Sequence, residues 1–418
     1  MDTATVNMAS SPAKSGKTVC VFRQILDYAI AAVMLVHCNT VWVTLASLRG
    51  WLPQTLQWLL LIFVVMRCLL TVHRPTKREL WKSIATVGGM AAYLAILYFV
   101  IKTNKDVYFA FAWVLLLLTV YCLFCYEGGA WQVLLKYRTL LCGVAVYSLV
   151  MWLFCSVLKA FPPSGEEWTS WTDASIGYAP IQSWAGIYFA PQGIRNTSIF
   201  TEGPMAALQY SLALLIEAFL VEKPKIPVLA ILAVALCTTM TTTGYLVLLY
   251  IALCYLLKWL YRRGWLQTRA GKISLISITV VGVIAAAVIL ARKLDTVSGS
   301  IRFDDMQAGW RAFLDAPIFG NGCNNLPAIQ QYMSEWRRFN IGYSSGLLWV
   351  LSDGGLWLGA VYLCPVVMAV VQGIRRRAPG VVAFALCLVG IFLISVFQYS
   401  YLLSLLSVFL LFWRPKAA

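Results

Sequence analysis

The chain has 418 residues, of which 61% are hydrophobic and only 12% charged, and its mean hydropathy is +0.76. Those values exclude a water-soluble domain of this length and make lipid the principal solvent. The formal charge of +16 does not point to nucleic acid, because the Lys and Arg residues sit in short clusters between apolar stretches, as the positive-inside rule arranges them. A β-barrel is excluded as well: its strands alternate apolar and polar residues, whereas a stretch such as 114–118 is apolar throughout.

The expected fold is an all-α polytopic membrane protein. Apolar segments near the roughly 20 residues needed to cross a bilayer predict helices over 25–48, 51–72, 81–101, 106–126, 139–158, 204–222, 226–240, 243–261, 273–291, 354–373, 380–398 and 400–413. Residues 1–24 read as a cytoplasmic tail, with Lys14, Lys17 and Arg23 ahead of a retained signal-anchor, and 25–418 as a single integral membrane domain. Twelve spans put both ends in the cytoplasm and gather the basic clusters, from Arg74, Lys77 and Arg78 to Arg375, Arg376 and Arg377, on the inner side. Near the inner ends, Arg67 and Glu217 read as snorkelling side chains. The stretch 225–261 is too long for one span, so a shallow hairpin is expected, turning in the Thr-rich 238–244; the turn either lines a watery cavity or is no more than a tight turn.

Two long outer loops remain, at about 159–203 and 292–353. The first holds Trp168, Trp171, Tyr178, Trp184 and Tyr188, and the second Trp310, Tyr332, Trp336 and Tyr343. Such rings suit stacking on sugars; an interfacial aromatic belt is the competing account. The twelve Cys fall mostly inside spans, Cys323 stands alone in the second loop, and the nearest approach to a metal motif, Cys122 with Cys125, lies within a span. No outer disulfide is expected.

Outer loops should be poor in cations, yet these carry Arg195, Arg292, Lys293, Arg302, Arg311, Arg337 and Arg338. Arg292 and Lys293, at a helix end, read as interface anchors. The other guanidiniums suit phosphate oxygens, which they grip as a planar fork. In "RNTSIFTEGP" (195–204), Pro204 suits the first turn of a helix capped by Gly203, whose N-terminus favours anions. Arg195 would clamp a phosphate there while Glu202 orients it or accepts a proton; an ordinary Arg195–Glu202 salt bridge is the alternative. In "SGSIRFDDMQAGWRAFLDAPIFGNG" (298–322), Arg302 and Arg311 lie nine residues apart, about 900° around a helix, and so face opposite ways. Arg302 is the site residue expected there, with Arg311 secondary and Asp305 near it. In "YSSGLLWVLSDGGLWLG" (343–359), a short helix, a break at "SDGG" and a span are expected, with Tyr343, Ser344 and Ser345 near the outer mouth and Asp353 at or below the break.

With these stretches in hand, the chain resembles the bacterial O-antigen polymerase and ligase superfamily. The resemblance rests on Arg195 upstream of F-x-E-x-P (Phe200, Glu202, Pro204), on Arg302 fifteen residues before P-x-x-G-x-G (Pro317, Gly320, Gly322), and on the glycine break Gly354, Gly355 and Gly359. It implies a C-type glycosyltransferase fold with a periplasmic cavity for undecaprenyl-diphosphate-linked oligosaccharide, in the bacterial inner membrane, with a chain-length regulator and a flippase as further partners. Ligases of the superfamily have a His-Asn pair where this chain has Ser344 and Ser345, and its two histidines, His37 and His73, lie elsewhere. That departure favours a polymerase over a ligase; a transporter of lipid-linked glycan is the third reading. Under the first, Arg195 and Arg302 stabilise the departing diphosphate with help from Arg311, Arg337 or Arg338. Glu202, or secondarily Asp305, accepts the proton of the attacking sugar hydroxyl, a mechanism with no strong base being the alternative, and inversion follows from a single displacement. No cofactor is expected, and no Asp/Glu cluster of metal-site spacing occurs in the outer loops.

Overall fold

Most helices begin where the sequence supplies a proline or a hydroxyl cap. A computed structural model describes residues 17–71, 76–125, 128–169, 180–189, 194–264, 268–294, 296–339 and 342–413; His73, Trp171 and Tyr178 lie outside them. Its helices are α1 (Lys17–His37), α2 (Val41–Thr44), α3 (Leu52–Leu69), α4 (Lys77–Val100), α5 (Lys105–Phe124), α6 (Gly129–Met151), α7 (Gly203–Leu215), α8 (Ile226–Thr238), α9 (Thr242–Arg262), α10 (Arg269–Leu294), α11 (Val297–Asp315), α12 (Leu326–Gln330), α13 (Gly346–Arg375), α14 (Pro379–Ile394) and α15 (Tyr401–Leu411). Prolines occupy the first turn of α3, α7, α8, α12 and α14, where a missing N–H removes no helical bond. Thr76 and Glu79 form a reciprocal capping box on α4, and Thr241, Thr296, Ser345 and Ser400 cap α9, α11, α13 and α15.

Among the described residues eight helices are long and apolar enough to cross a membrane, and four shorter apolar helices accompany them, over Ile226–Thr238, Ile273–Ile284, Pro379–Ile394 and Tyr401–Leu411. The chain is a multi-pass membrane protein. The stretch 225–261 is a hairpin, as expected, with Met240 in a left-handed conformation at its turn. Helix α7 is the centre of the bundle: 83% of its apolar window is buried, against 17–44% in the other seven. In this enclosed helix and the turn that follows it, two polar residues find partners on neighbouring elements. Gln209 accepts a hydrogen bond from Tyr137 and donates to the Cys38 carbonyl, and Glu217 accepts from Arg138 and from the Lys225 backbone N–H.

The snorkelling expected of Arg67 and Glu217 is corrected by the structure. Arg67 is 3% exposed and pairs with Asp27 at 2.9 Å, and Glu217, fully buried, pairs with Arg138. Both face neighbouring helices, where an unpaired charge would be left without solvation.

Loop 159–203 is not irregular. It contains an antiparallel sheet of β1 (Gly165–Glu167), β2 (Ile181–Trp184) and β3 (Ile187–Phe189), in the order β1-β2-β3, with Gly165 opposite Ser183 and Trp184 opposite Ile187. The two-residue turn Ala185-Gly186 has positive φ at both positions, the geometry that matches strand twist. Bridges Leu45–Thr169 and Thr40–Phe200 fasten this loop to the 38–51 connection.

Helix ends sort onto two faces. On one, Asn196 N–H donates to the Thr238 carbonyl, Val41 N–H to Ile199, and Gly346 N–H to Ser395, so the 38–45, 195–203, 238–242 and 395–400 connections converge. On the other, Gly380 lies against the Phe219 carbonyl and Lys225 reaches Glu217.

Candidate active site

The head of α7 is built by residues 195–203. Positions 196–200 are buried, while Arg195 is exposed and its side chain runs back over Gly203, 3.7 Å from where a Cβ there would lie. The cap of α7 is Glu202 rather than the expected Gly203; its backbone is extended and its carboxylate makes no capping bond. Neither Arg195 nor Glu202 has a side-chain hydrogen bond or an ion-pair partner among the described residues, so the salt bridge that would have explained the two charges is not made. A half-buried carboxylate and a free guanidinium therefore share one helix end.

A second cation reaches the same place from 100 residues away. Arg302, half-buried on α11, donates to the Ile394 carbonyl at 2.7 Å, which ties α11 to the end of α14. Burial pushes the Glu202 carboxyl above its usual range, and Arg302 and then Arg195 oppose that shift. Burial also lowers the Arg302 guanidinium, with Glu202 and Asp305 acting the other way. Arg195, Glu202 and Arg302 thus form one electrostatic group. Two cations act on one half-buried carboxylate, an excess of one positive charge, with Arg302 half-buried and Arg195 exposed.

The remaining expected residues have other partners. Asp305 is fully buried and accepts from Arg337 (2.8 Å), from the Ser344 N–H (3.0 Å) and from the Ser344 hydroxyl (2.6 Å). Burial raises its pKa, and the bonds from Ser344 and Arg337 counter the rise. Arg337, 1% exposed, also binds Asp304 at 3.2 Å and the carbonyls of Ile301 and Gly342. Asp304 in turn accepts from the Ser334 hydroxyl at 2.6 Å. These groups fasten residues 334–344 onto α11 and are saturated in doing so. The Ser345 hydroxyl caps α13 by accepting from Leu348. Tyr343 is buried with its hydroxyl against Gly309, and burial raises its pKa. Arg311 is exposed on the side of α11 away from Arg302, as nine residues of spacing require. The side chain of Arg338 lies outside the described residues. Of the rings considered for stacking, Trp184 and Tyr188 are buried, while Trp168, Trp310 and Trp336 are exposed.

The glycine motif has a mechanical explanation. Helix α13 is broken at Gly354 and Gly355, and the segment 317–322 is stitched into the break by four backbone bonds. Asn321 N–H donates to Ser352 O, Gly322 N–H to Asp353 O, Leu356 N–H to Pro317 O and Trp357 N–H to Ile318 O, at 2.7–3.0 Å. Asp353, which sequence reasoning placed at the break without a role, accepts from the N–H groups of Asn324 and Asn325 and from the Tyr399 hydroxyl. An acid inside an apolar stretch was the signal for it. Gly355 has φ +57° and ψ −153°, and a Cβ there would sit 2.4 Å from the Ile318 carbonyl carbon. Gly355→Ala is therefore expected to destabilise the protein by about 3 kcal/mol or more, read as a lowered melting temperature in detergent. Gly359→Ala, whose Cβ meets only the tip of Leu351, should change it little.

Among the described residues no three His, Cys, Asp or Glu side chains gather in a way that could hold a metal ion. What converges is cationic. A model of the O-antigen ligase family matches residues 227–363, about a third of the chain, from the start of α8 into α13. That match supports the O-antigen polymerase and ligase superfamily. It covers Arg302, the Asp304–Asp305–Arg337 lock and the interlocked glycines, while Arg195 and Glu202 lie before it. No curated protein and no solved structure matches the chain. Proteins of the superfamily are glycan transferases, the activity class that the match supports for this membrane protein.

Proposed function

We propose that the protein is a polymerase that joins undecaprenyl-diphosphate-linked oligosaccharide repeat units into a bacterial surface polysaccharide, working at the periplasmic face of the inner membrane. The observation that carries this reading is the electrostatic grouping of Arg195, Glu202 and Arg302, in which two guanidiniums without ion-pair partners among the described residues act on a carboxylate raised by burial. A diphosphate held between the cations is stabilised as it leaves, since donors aimed at developing charge are worth the most in a recessed site. The hydroxyl of the incoming unit attacks the anomeric carbon of the growing chain, the bond to the diphosphate oxygen breaks, and the hydroxyl proton passes to Glu202. A single displacement inverts the anomeric centre. Asp305 already accepts three hydrogen bonds from Arg337 and Ser344, whereas Glu202 accepts none through its side chain among the described residues and is the proton acceptor.

The second reading is a ligase that moves a finished glycan from the same carrier onto another acceptor, favoured by the name of the matching family. A transporter is less well supported: the membrane-buried charges of Asp27, Arg67, Arg138 and Glu217 are closed in ion pairs rather than lining a path. The purified protein in nanodiscs, given lipid-linked repeat units alone, is expected to yield a ladder of products separated by one repeat. A product formed only when a separate acceptor is added, once per acceptor, would turn the assignment to a ligase; no new glycosidic bond under either condition would end both.

A further inference from the structure

Helix α11 has three sectors rather than two. Asp305, Ala308, Gly309 and Ala312 face the protein and are buried. Gln307, Arg311 and Asp315 form an exposed polar strip. Between these, Phe303, Met306, Trp310 and Leu314 are 52%, 38%, 50% and 56% exposed. Their spacing of three, four and four residues confines them to about 80° of the helix circumference. A continuous apolar stripe on a helix that already buries another face needs a cover.

We infer that α11 lies flat in the surface of the lipid bilayer, with the Phe303–Met306–Trp310–Leu314 stripe dipped among the lipid chains and Gln307, Arg311 and Asp315 in the headgroup water. Lipid is the occupant because of where the helix starts. Helix α10, 26 residues and so about 39 Å long, exceeds the ~30 Å hydrocarbon core, and between Ile273 and Val288 most of its exposed side chains, among them Ile276, Val280, Val283 and Val288, are apolar. Only residues 295 and 296 separate its end from α11, so the stripe begins at the level where α10 leaves the membrane. A Trp among aliphatic residues with an Arg on the adjoining strip is the composition of a helix lying in an interface.

Arg302 falls at the border between the protein-facing sector and the stripe, one residue before Phe303. For the proposed reaction, on which this consequence alone rests, the helix holds that guanidinium at phosphate depth. A lipid-borne diphosphate then reaches it sideways from the bilayer.

The full chain in nanodiscs, with p-benzoylphenylalanine at 306, 310 or 314 and, in parallel, at 307, 311 or 315, tests the placement by ultraviolet crosslinking. The stripe positions are expected to gain the mass of one lipid and the polar positions to lack it. Equal labelling around the helix, no lipid adduct at the stripe, or a product at twice the chain mass, which would make the stripe a contact between copies, overturns the inference. If these chains fail to fold, a spin label at 310 on a cysteine-free chain decides the same question: relaxation by oxygen supports the inference, and relaxation by a water-soluble nickel chelate refutes it. Neither readout depends on catalysis, so failure of the polymerase assignment would leave this result standing.

Discussion

Arg302→Ala is expected to reduce polymer formation by about 10²–10³-fold while leaving the melting temperature close to that of the parent, because the side chain acts on charge developing in the reaction. Its side-chain hydrogen bond among the described residues is the one to the Ile394 carbonyl at 2.7 Å, and α11 remains held to 334–344 through Asp304, Asp305 and Arg337 without it. Arg195→Ala should act in the same direction, and among the described residues Arg195 has no side-chain hydrogen bond or ion pair to lose. Lysine at 302 should restore only part of the rate, as a point charge in place of a planar fork. Both rates are measured as repeat units joined per minute in nanodiscs. Unchanged yield and chain length in both alanine variants would remove the diphosphate clamp from the mechanism.

Glu202→Gln is expected to lose about 10²–10⁴-fold in rate, the range over which a positioned proton acceptor contributes. The pH profile separates this role from that of a scaffold. Burial raises the Glu202 carboxyl while Arg302 and Arg195 pull it down, so in the parent the rate should fall as pH drops through a pKa above the ordinary carboxylate value. The acid limb should vanish in the Gln variant. With either arginine removed, an opposing cation is lost, the carboxyl rises further, and the limb should move to higher pH. A limb that stays in place when both arginines are replaced would show that another group titrates.

Hydropathy and charge made most of the helices legible, because length and apolarity are local properties. The 238–242 turn and the break at Gly354 and Gly355 were equally visible, each marked by residues that suit irregular backbone. The sheet was not, since three strands of three or four residues leave too little alternation to separate from a loop. Arg337 looked like a free cation for the same reason that Arg67 looked like a snorkelling one. Their partners lie 32 and 40 residues away, and a sequence does not say which distant carboxylate folds against them. Conversely, the spacing between Arg302 and Arg311 told that the two face opposite ways, because one rigid helix carries both.

The stitching of 317–322 into the break of α13 bears on how a polymer could lengthen. Four main-chain bonds tie that segment down and the Asp353 carboxylate holds residues 324 and 325 just after it, so α11, with Arg302 upon it, and α13 form a single fixture. Under the proposed reaction the lengthening sugar cannot make room by swinging this block aside. It has to slip past a stationary Arg302 one repeat at a time, and the pace of elongation belongs to the passenger rather than to a hinge in this block.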